Sequence, residues 1–277
     1  MINLPFLKYK LDLPEDSEIV YDMSKDRIGD GIGVLTILEH TSKLNPKLKI
    51  SVIYCSSGHA EYSWINEINL FQWSEWQPYK IYQRAEPNKI IFNSTDTSAF
   101  SIWGTLSGLN LCPKLRVPDN IDISHNNYAI SMHIINAVGI RNKPYVARRA
   151  LNMVKYKNIG KYLSKNGITV TRLGAEYDRV RDFGAPIVDL TSKNLSLHDT
   201  FIHLAKSNLF MGGDSGLTHA AAALGIPVIV EIDSASKDAC GLAGIPPELL
   251  VEIPYNCDYK THKELLHNHP LLKDKLL

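Results

Sequence analysis

The stretch Phe210-Met-Gly-Gly-Asp-Ser-Gly-Leu-Thr-His-Ala-Ala-Ala-Ala-Leu-Gly-Ile-Pro-Val-Ile-Val230 reads, in order, as a strand end, a glycine turn, an alanine-rich helix and a second apolar strand. A helix fed by one buried strand and followed at once by another is a crossover of a parallel sheet, which points to an α/β fold. Gly212, Gly213 and Gly216 let the backbone turn tightly and approach a ligand, while Ser215 and Thr218 sit where a new helix exposes unpaired N–H groups. Such a helix start is suited to an anion, and phosphate is the natural occupant.

The early part of the chain repeats this grammar. Glu18-Ile-Val-Tyr-Asp22 predicts a strand, Lys25 to Gly33 a glycine loop, Val34 to Leu44 a helix ended by Pro46, and Leu48 to Tyr54 a second strand. Between Ser57 and Pro118 the periodicity weakens, and Trp64, Phe71, Trp73, Trp76, Tyr79, Tyr82 and Trp103 are scattered among polar residues. They suit either a layer covering the sheet or a wall of aromatic faces for a substrate. Val117 to Asn127 reads as a linker, after which Tyr128 to His133 opens a second series of elements. That series holds helices near 155–165, from about Tyr177 and over 197–207, and strands at 168–173, 186–190 and 228–232. The expectation is an α/β chain of two Rossmann-like, doubly wound domains facing a central cleft. The first covers residues 1–125 and the second 126–260, and an amphipathic helix at 261–277 is free to pack back on the first domain.

Bulk properties narrow the function. With 44% hydrophobic and 21% charged residues in 277, the chain can bury ordinary cores. Its 30 basic against 29 acidic residues supply no overall field for a polyanion, which disfavours nucleic acid as partner, although the basic run from Lys143 to Lys165 leaves it open. Cys55, Cys112, Cys240 and Cys257 lack ligand spacing, so reduced thiols and a cytoplasmic setting are expected and no structural zinc. The first twenty residues lack a signal-peptide core and no run reaches membrane-spanning length, which still permits peripheral docking at the inner face of a membrane. There is no Asp-x-Asp triplet for a divalent ion. The first loop fails as a dinucleotide fingerprint, because Val34 stands where glycine or alanine is needed and no acid follows the second strand, so no nicotinamide cofactor is expected.

Two residues carry competing readings. Asp30, between Gly29 and Gly31, is either a helix cap or a general base for an incoming hydroxyl. His219, three residues after Gly216, is either a buried histidine bonded to backbone or a ligand contact.

Ile28-Gly-Asp-Gly-Ile-Gly-Val-Leu-Thr36 and Gly213-Asp-Ser-Gly-Leu-Thr-His-Ala-Ala-Ala-Ala-Leu-Gly-Ile-Pro227 together resemble the two signature segments of the ADP-heptose:lipopolysaccharide heptosyltransferase family, glycosyltransferases of the GT-B fold. The similarity covers roughly Glu18 to Tyr54 and Tyr128 to Ile232. It implies an inverting, metal-independent transfer without a cofactor, from an ADP-heptose-like nucleotide-diphosphate donor to a hydroxyl of a glycan or glycolipid. The N-terminal domain then serves the acceptor and the second domain the donor. Asp30 inherits the role of base, with Gly29 and Gly31 beside it in the donor-contacting set. Gly213, Ser215, Gly216, Thr218 and His219 inherit the diphosphate, with Asp214 bracing the loop. The family's basic residue after the first strand of the second domain falls on Lys143 or on Arg149, in competing registers. Asp178 matches the acidic ribose ligand and reads equally as an exposed acid at a helix start. Rival readings are a nucleotide-sugar-binding module without catalysis, a glycosyltransferase acting on a modified nucleic-acid base, and a sugar-nucleotide epimerase.

Overall fold

The computed structural model describes residues 4, 12–23, 26, 28–54, 69–82, 90–93, 102–124, 128–134, 151–175, 178, 184, 186–193, 195–232, 244–255 and 257–276. They fall into two compact units, Met1–Pro118 with Asp238–Pro246, and Asp119–Lys237 with Pro247–Leu277.

The first unit contains β1 (Glu18–Asp22), α1 (Ile28–Leu44), β2 (Lys49–Ile53), α2 (Asn69–Gln72), β3 (Ile81–Tyr82), β4 (Ile90–Phe92) and α3 (Ile102–Gly108). Its strands are parallel in the order β3-β2-β1-β4. Ile19, Val20 and Tyr21 are all buried, the continuous apolar run that a parallel strand covered on both faces requires. Of the aromatic segment, Phe71, Trp73 and Trp103 enter the core while Tyr79 is exposed, with the Lys49 and Lys80 ammoniums over its ring.

The expected glycine loop before Val34 is instead the first turn and a half of α1, which begins at Ile28. Three glycines in five positions disfavour a helix by propensity. Packing overrides this, because a Cβ at Gly33 would stand 2.7 Å from Ile102 Cγ2 and 3.2 Å from Leu106 Cδ1 of α3. The glycine is there for close helix approach, so α1 and α3 can share a buried seam.

The second unit contains β5 (Ala129–His133), α4 (Met153–Lys165), β6 (Thr169–Leu173), β7 (Val188–Asp189), α5 (Leu197–Ala205), β8 (Leu209–Gly213), α6 (Gly216–Ala223), β9 (Val228–Ile232), β10 (Leu250–Pro254) and α7 (Tyr259–Asn268). All six strands are parallel in the order β10-β9-β8-β5-β6-β7. Counted within each unit, both sheets follow the 3-2-1-4 order of dinucleotide-binding folds, and the second continues it to 5 and 6. The helix expected from about Tyr177 falls on residues largely outside those described; Asp178 is in a 3₁₀ turn.

Helix starts follow their caps. Asn152, Ser196 and Asp258 accept backbone N–H groups at the starts of α4, α5 and α7. The carboxy-terminal helix, which the sequence left free to pack back on the first domain, ends earlier than expected at Asn268, and its Leu266 joins Leu272 and Leu276 in the core of the second unit. Its His262 meets Tyr156 of α4 edge-on at 5.3 Å. Burial, with the Lys155 charge added, pushes the His262 imidazole down to about 3, so the ring is neutral. Among the described residues no helix is long and apolar enough to cross a membrane.

Candidate functional site

In open α/β sheets ligands bind beyond the carboxyl ends of the strands where the strand order reverses. In the second unit that point lies between β5 and β8, which are hydrogen-bonded neighbours. Their last residues are His133 and Gly213, and the chain leaves β8 through Asp214 and Ser215 into α6. Ser215 is the N-cap, in extended backbone, with Oγ accepting from the Thr218 N–H at 3.4 Å. The Thr218 hydroxyl donates to the Gly213 carbonyl at 2.6 Å, locking the turn from strand to helix. At Gly212 a Cβ would lie 2.7 Å from the His133 carbonyl oxygen, so only glycine lets β8 run this close to β5. Of the set predicted from sequence, Gly213, Asp214, Ser215, Gly216, Thr218 and His219 are thus brought together at one helix start. Asp214 Oδ1 lies 3.4 Å from His219 Nε2, and both side chains are buried.

Asp178 comes to the same place, although not as an exposed acid. Asp178 as a whole is only 1% exposed, and its Oδ2 accepts from the Ala175 N–H at 3.1 Å and lies 3.1 Å from His133 Nε2. The other ring nitrogen of His133, Nδ1, is 3.0 Å from Ser215 Oγ. Gly174, at φ +146°, makes this approach possible: a Cβ there would stand 2.8 Å from Asp178 Oδ2 and 3.1 Å from His133 Cδ2. Arg172, fully buried, holds the Asp178 carbonyl and bonds Asp189 Oδ2 at 2.9 Å, tying β6 to β7 below the site. His133 is the site residue that sequence reasoning missed. Its only signal was position, the last residue of a strand in the middle of the sheet.

In the first unit the corresponding reversal lies between β1 and β4. Asp30 is the third residue of α1, not its N-cap, and its Oδ1 accepts from Trp103 Nε1 of α3 at 3.1 Å. A half-buried carboxylate held by an indole donor has its orientation fixed, as a base must. Gly29 and Gly31 flank it, both buried inside the helix. Asp26 is more deeply buried, and among the described residues one of its carboxyl oxygens has no hydrogen-bond partner. Burial first, then the charges of Asp30 and Asp22, push its carboxyl up to about 8. Because the folded value lies above the unfolded one, the native state holds a proton that the unfolded chain has lost. The stability contributed by Asp26 is therefore complete below about pH 4 and is lost as pH rises toward 8. Asp26→Asn is expected to remove this slope and to raise unfolding free energy at pH 8 by about 1–2 kcal/mol, after the cost of burying an amide, as read from urea melts at pH 5 and pH 8. A gain equal at both pH values would show that Asp26 is not the group titrating.

Lys143 and Arg149, the two candidates for the basic contact, lie outside the described residues. A second polar cluster sits within the core of the second unit, where Glu231, Cys257 and His262 bring ligand-type atoms within 4.8 Å of one another. The cation at this place is already the Lys155 ammonium, 2.6 Å from Glu231 Oε2, 2.8 Å from the Cys257 carbonyl and 3.6 Å from Cys257 Sγ. The cluster is therefore read as a buried ion pair with its hydrogen-bond partners rather than a metal centre.

Residues 152–230, from the cap of α4 to the middle of β9, match the profile of glycosyltransferase family 9 (heptosyltransferase). Comparison with curated sequences finds no match. Among solved structures, ADP-heptose lps heptosyltransferase II of E. coli is 14% identical with a TM-score of 0.63, over 93% of this chain and 99% of that one. TibC, an iron-containing dodecameric glycosyltransferase of enterotoxigenic E. coli, is 13% identical with a TM-score of 0.61, over 90% of this chain and 65% of that one. The family 9 glycosyl transferase of Veillonella parvula is 13% identical with a TM-score of 0.58, over 90% and 88%. At these identities the structural likeness is one of fold, and the fold is that of the GT-B glycosyltransferases.

Two parallel sheets in Rossmann order, with the start of α6 inside the matched segment, make the chain similar to glycosyltransferases. Within that class the chain is heptosyltransferase-like.

Proposed function

We propose that this chain is an inverting, metal-independent transferase that moves a sugar from a nucleoside-diphosphate donor of the ADP-heptose kind to a hydroxyl of a glycan or glycolipid. The observation that carries the reading is the start of α6. It combines a serine cap, a glycine first turn and a strand end at the sheet's reversal point, inside the segment matching the heptosyltransferase profile. Breaking a sugar–diphosphate bond puts negative charge on the leaving group, and preorganised N–H donors with a helix dipole stabilise it without a bound ion. The lack of an Asp-x-Asp triplet supports the same reading. Gly213, Ser215, Gly216, Thr218 and His219 form the diphosphate end, and Lys143 or Arg149 adds a positive charge. Asp214 braces His219, and Asp30, flanked by Gly29 and Gly31, takes the acceptor proton. A glycolipid acceptor places the protein at the cytoplasmic face of a membrane, as a peripheral protein. The burial of Asp178 supports assigning it to the support of His133 in place of a ribose contact.

Incubation with ADP-heptose and a heptose-accepting glycolipid core is expected to release ADP in the presence of EDTA, and NMR of the product is expected to show an inverted anomeric centre. Ser215→Ala is expected to weaken ADP binding by roughly 10–100-fold, the worth of one hydrogen bond to a charged group, as measured by calorimetry. Undiminished affinity in that variant would remove Ser215 from the donor site.

A further inference from the structure

We infer that His133 is a positioning residue which takes up a proton when the donor's diphosphate binds, and thereby frees the Ser215 hydroxyl to donate to it. The inference rests on the donor-site reading above and follows from counting hydrogens around Ser215 Oγ.

Asp178 Oδ2 accepts from the Ala175 N–H at 3.1 Å, and its partner at the same distance is His133 Nε2. A carboxylate can only accept, so Nε2 carries the proton of that bond. In a neutral imidazole Nδ1 is then a bare acceptor, and the atom 3.0 Å away is Ser215 Oγ. The serine must donate to it. Among the described residues no other hydrogen is at hand, because the Thr218 hydroxyl, 3.2 Å from Ser215 Oγ, already donates to the Gly213 carbonyl at 2.6 Å. At rest, therefore, the one side-chain hydrogen at the cap of α6 points into the protein, and Ser215 would present a lone pair to an incoming phosphate oxygen.

A diphosphate oxygen has no hydrogen to give, and two outcomes follow. Ser215 can turn its hydrogen to the phosphate and leave Nδ1, on a ring that is mostly buried, without a donor. Leaving a buried acceptor unpaired costs about 5- to 150-fold in binding. Alternatively, Nδ1 takes a proton from solvent, the imidazolium donates to Ser215 Oγ through Nδ1 and to Asp178 through Nε2, and the serine hydrogen passes to the phosphate oxygen. Charging a largely buried ring has a cost of its own. The Asp178 carboxylate behind the ring and the diphosphate in front of Ser215 both offset this cost, since each favours the charged form. Among the described residues, the other charged groups of the neighbouring strands and turns already have counter-charges. Asp214 Oδ1 lies 3.4 Å from His219 Nε2, and the Arg172 guanidinium is paired with Asp189 and holds the Asp178 carbonyl. The proton-coupled route is favoured.

The test is calorimetry of ADP binding at pH 8, where the ADP phosphates are fully ionised, repeated in buffers of different ionisation enthalpy. The wild-type protein is expected to take up close to one proton per ADP, and its affinity to fall as pH rises from 7 to 9. His133→Gln is expected to bind ADP 5- to 50-fold more weakly, with uptake near zero and affinity level across that range. Wild-type binding without proton uptake overturns the inference whatever the variant does, and so does uptake that persists in His133→Gln. Failure of ADP, GDP and UDP alike to bind the wild-type protein overturns the donor-site reading itself, and this inference with it.

Discussion

Lys155→Met is expected to destabilise the protein by about 3–5 kcal/mol, while the double variant Lys155→Met, Glu231→Leu recovers most of that loss. The Lys155 and Glu231 side chains are 4% and 0% exposed, with Nζ and Oε2 2.6 Å apart. The ammonium also donates to the Cys257 carbonyl at 2.8 Å, and the Tyr156 hydroxyl donates to the same carboxylate oxygen at 3.2 Å. Removing the lysine leaves a carboxylate in an apolar core, and its desolvation is what the single variant loses; replacing both partners removes the charges together. The tyrosine stays a neutral donor, because burial and then the Glu231 charge push its hydroxyl well above the usual range, and it brings no positive charge to replace the ammonium. Urea unfolding of the single and double variants measures the difference, and a single-variant loss below about 1 kcal/mol would show that the carboxylate finds another partner. The pair also bears on the proposed donor site. Glu231 is the register partner of Gly213, the last residue of β8, so the strand that feeds the α6 cap is braced from α4 through this ion pair.

The parts of the fold that could be read from sequence are those whose local pattern matches their burial. β1, β5, β8 and β9 carry apolar runs, as strands covered on both faces must. The cradle from Asp214 to His219 was legible because cap, glycine and helix are contiguous. β3 and β4 were not, since two or three residues cannot display a period. The start of α1 was misread because Gly33 is required by Ile102 and Leu106, which stand about seventy residues further on. Long-range partners hid the rest of the site. Asp178 and Ser215 are separated from His133 by 45 and 82 residues, and Trp103 from Asp30 by 73. A histidine at a strand end and a tryptophan in an irregular stretch acquire a role only when the sheet order brings their partners to them.

Asp30→Asn is expected to lower kcat for transfer by about 10²–10⁴-fold, the usual contribution of a positioned general base, while ADP affinity stays within about twofold of wild type. The amide is the informative replacement. It keeps an acceptor oxygen for Trp103 Nε1, so the 3.1 Å bond and the first turn of α1 survive while basicity is lost. Trp103→Phe makes the converse change, keeping the base and releasing its orientation, and is expected to reduce kcat by a smaller factor of about 3–30. The neighbouring carboxyl distinguishes chemistry from charge. Asp26 lies close enough for the Asp30 charge to raise it, and with its carboxyl at about 8 it is neutral at pH 7. Asp26→Asn therefore leaves the charge at Asp30 as it was and is expected to retain most of kcat at that pH. A loss confined to Asp30→Asn assigns the base; equal losses in both variants would mean that the first turn of α1 tolerates no amide, and would withdraw Asp30 from the chemistry.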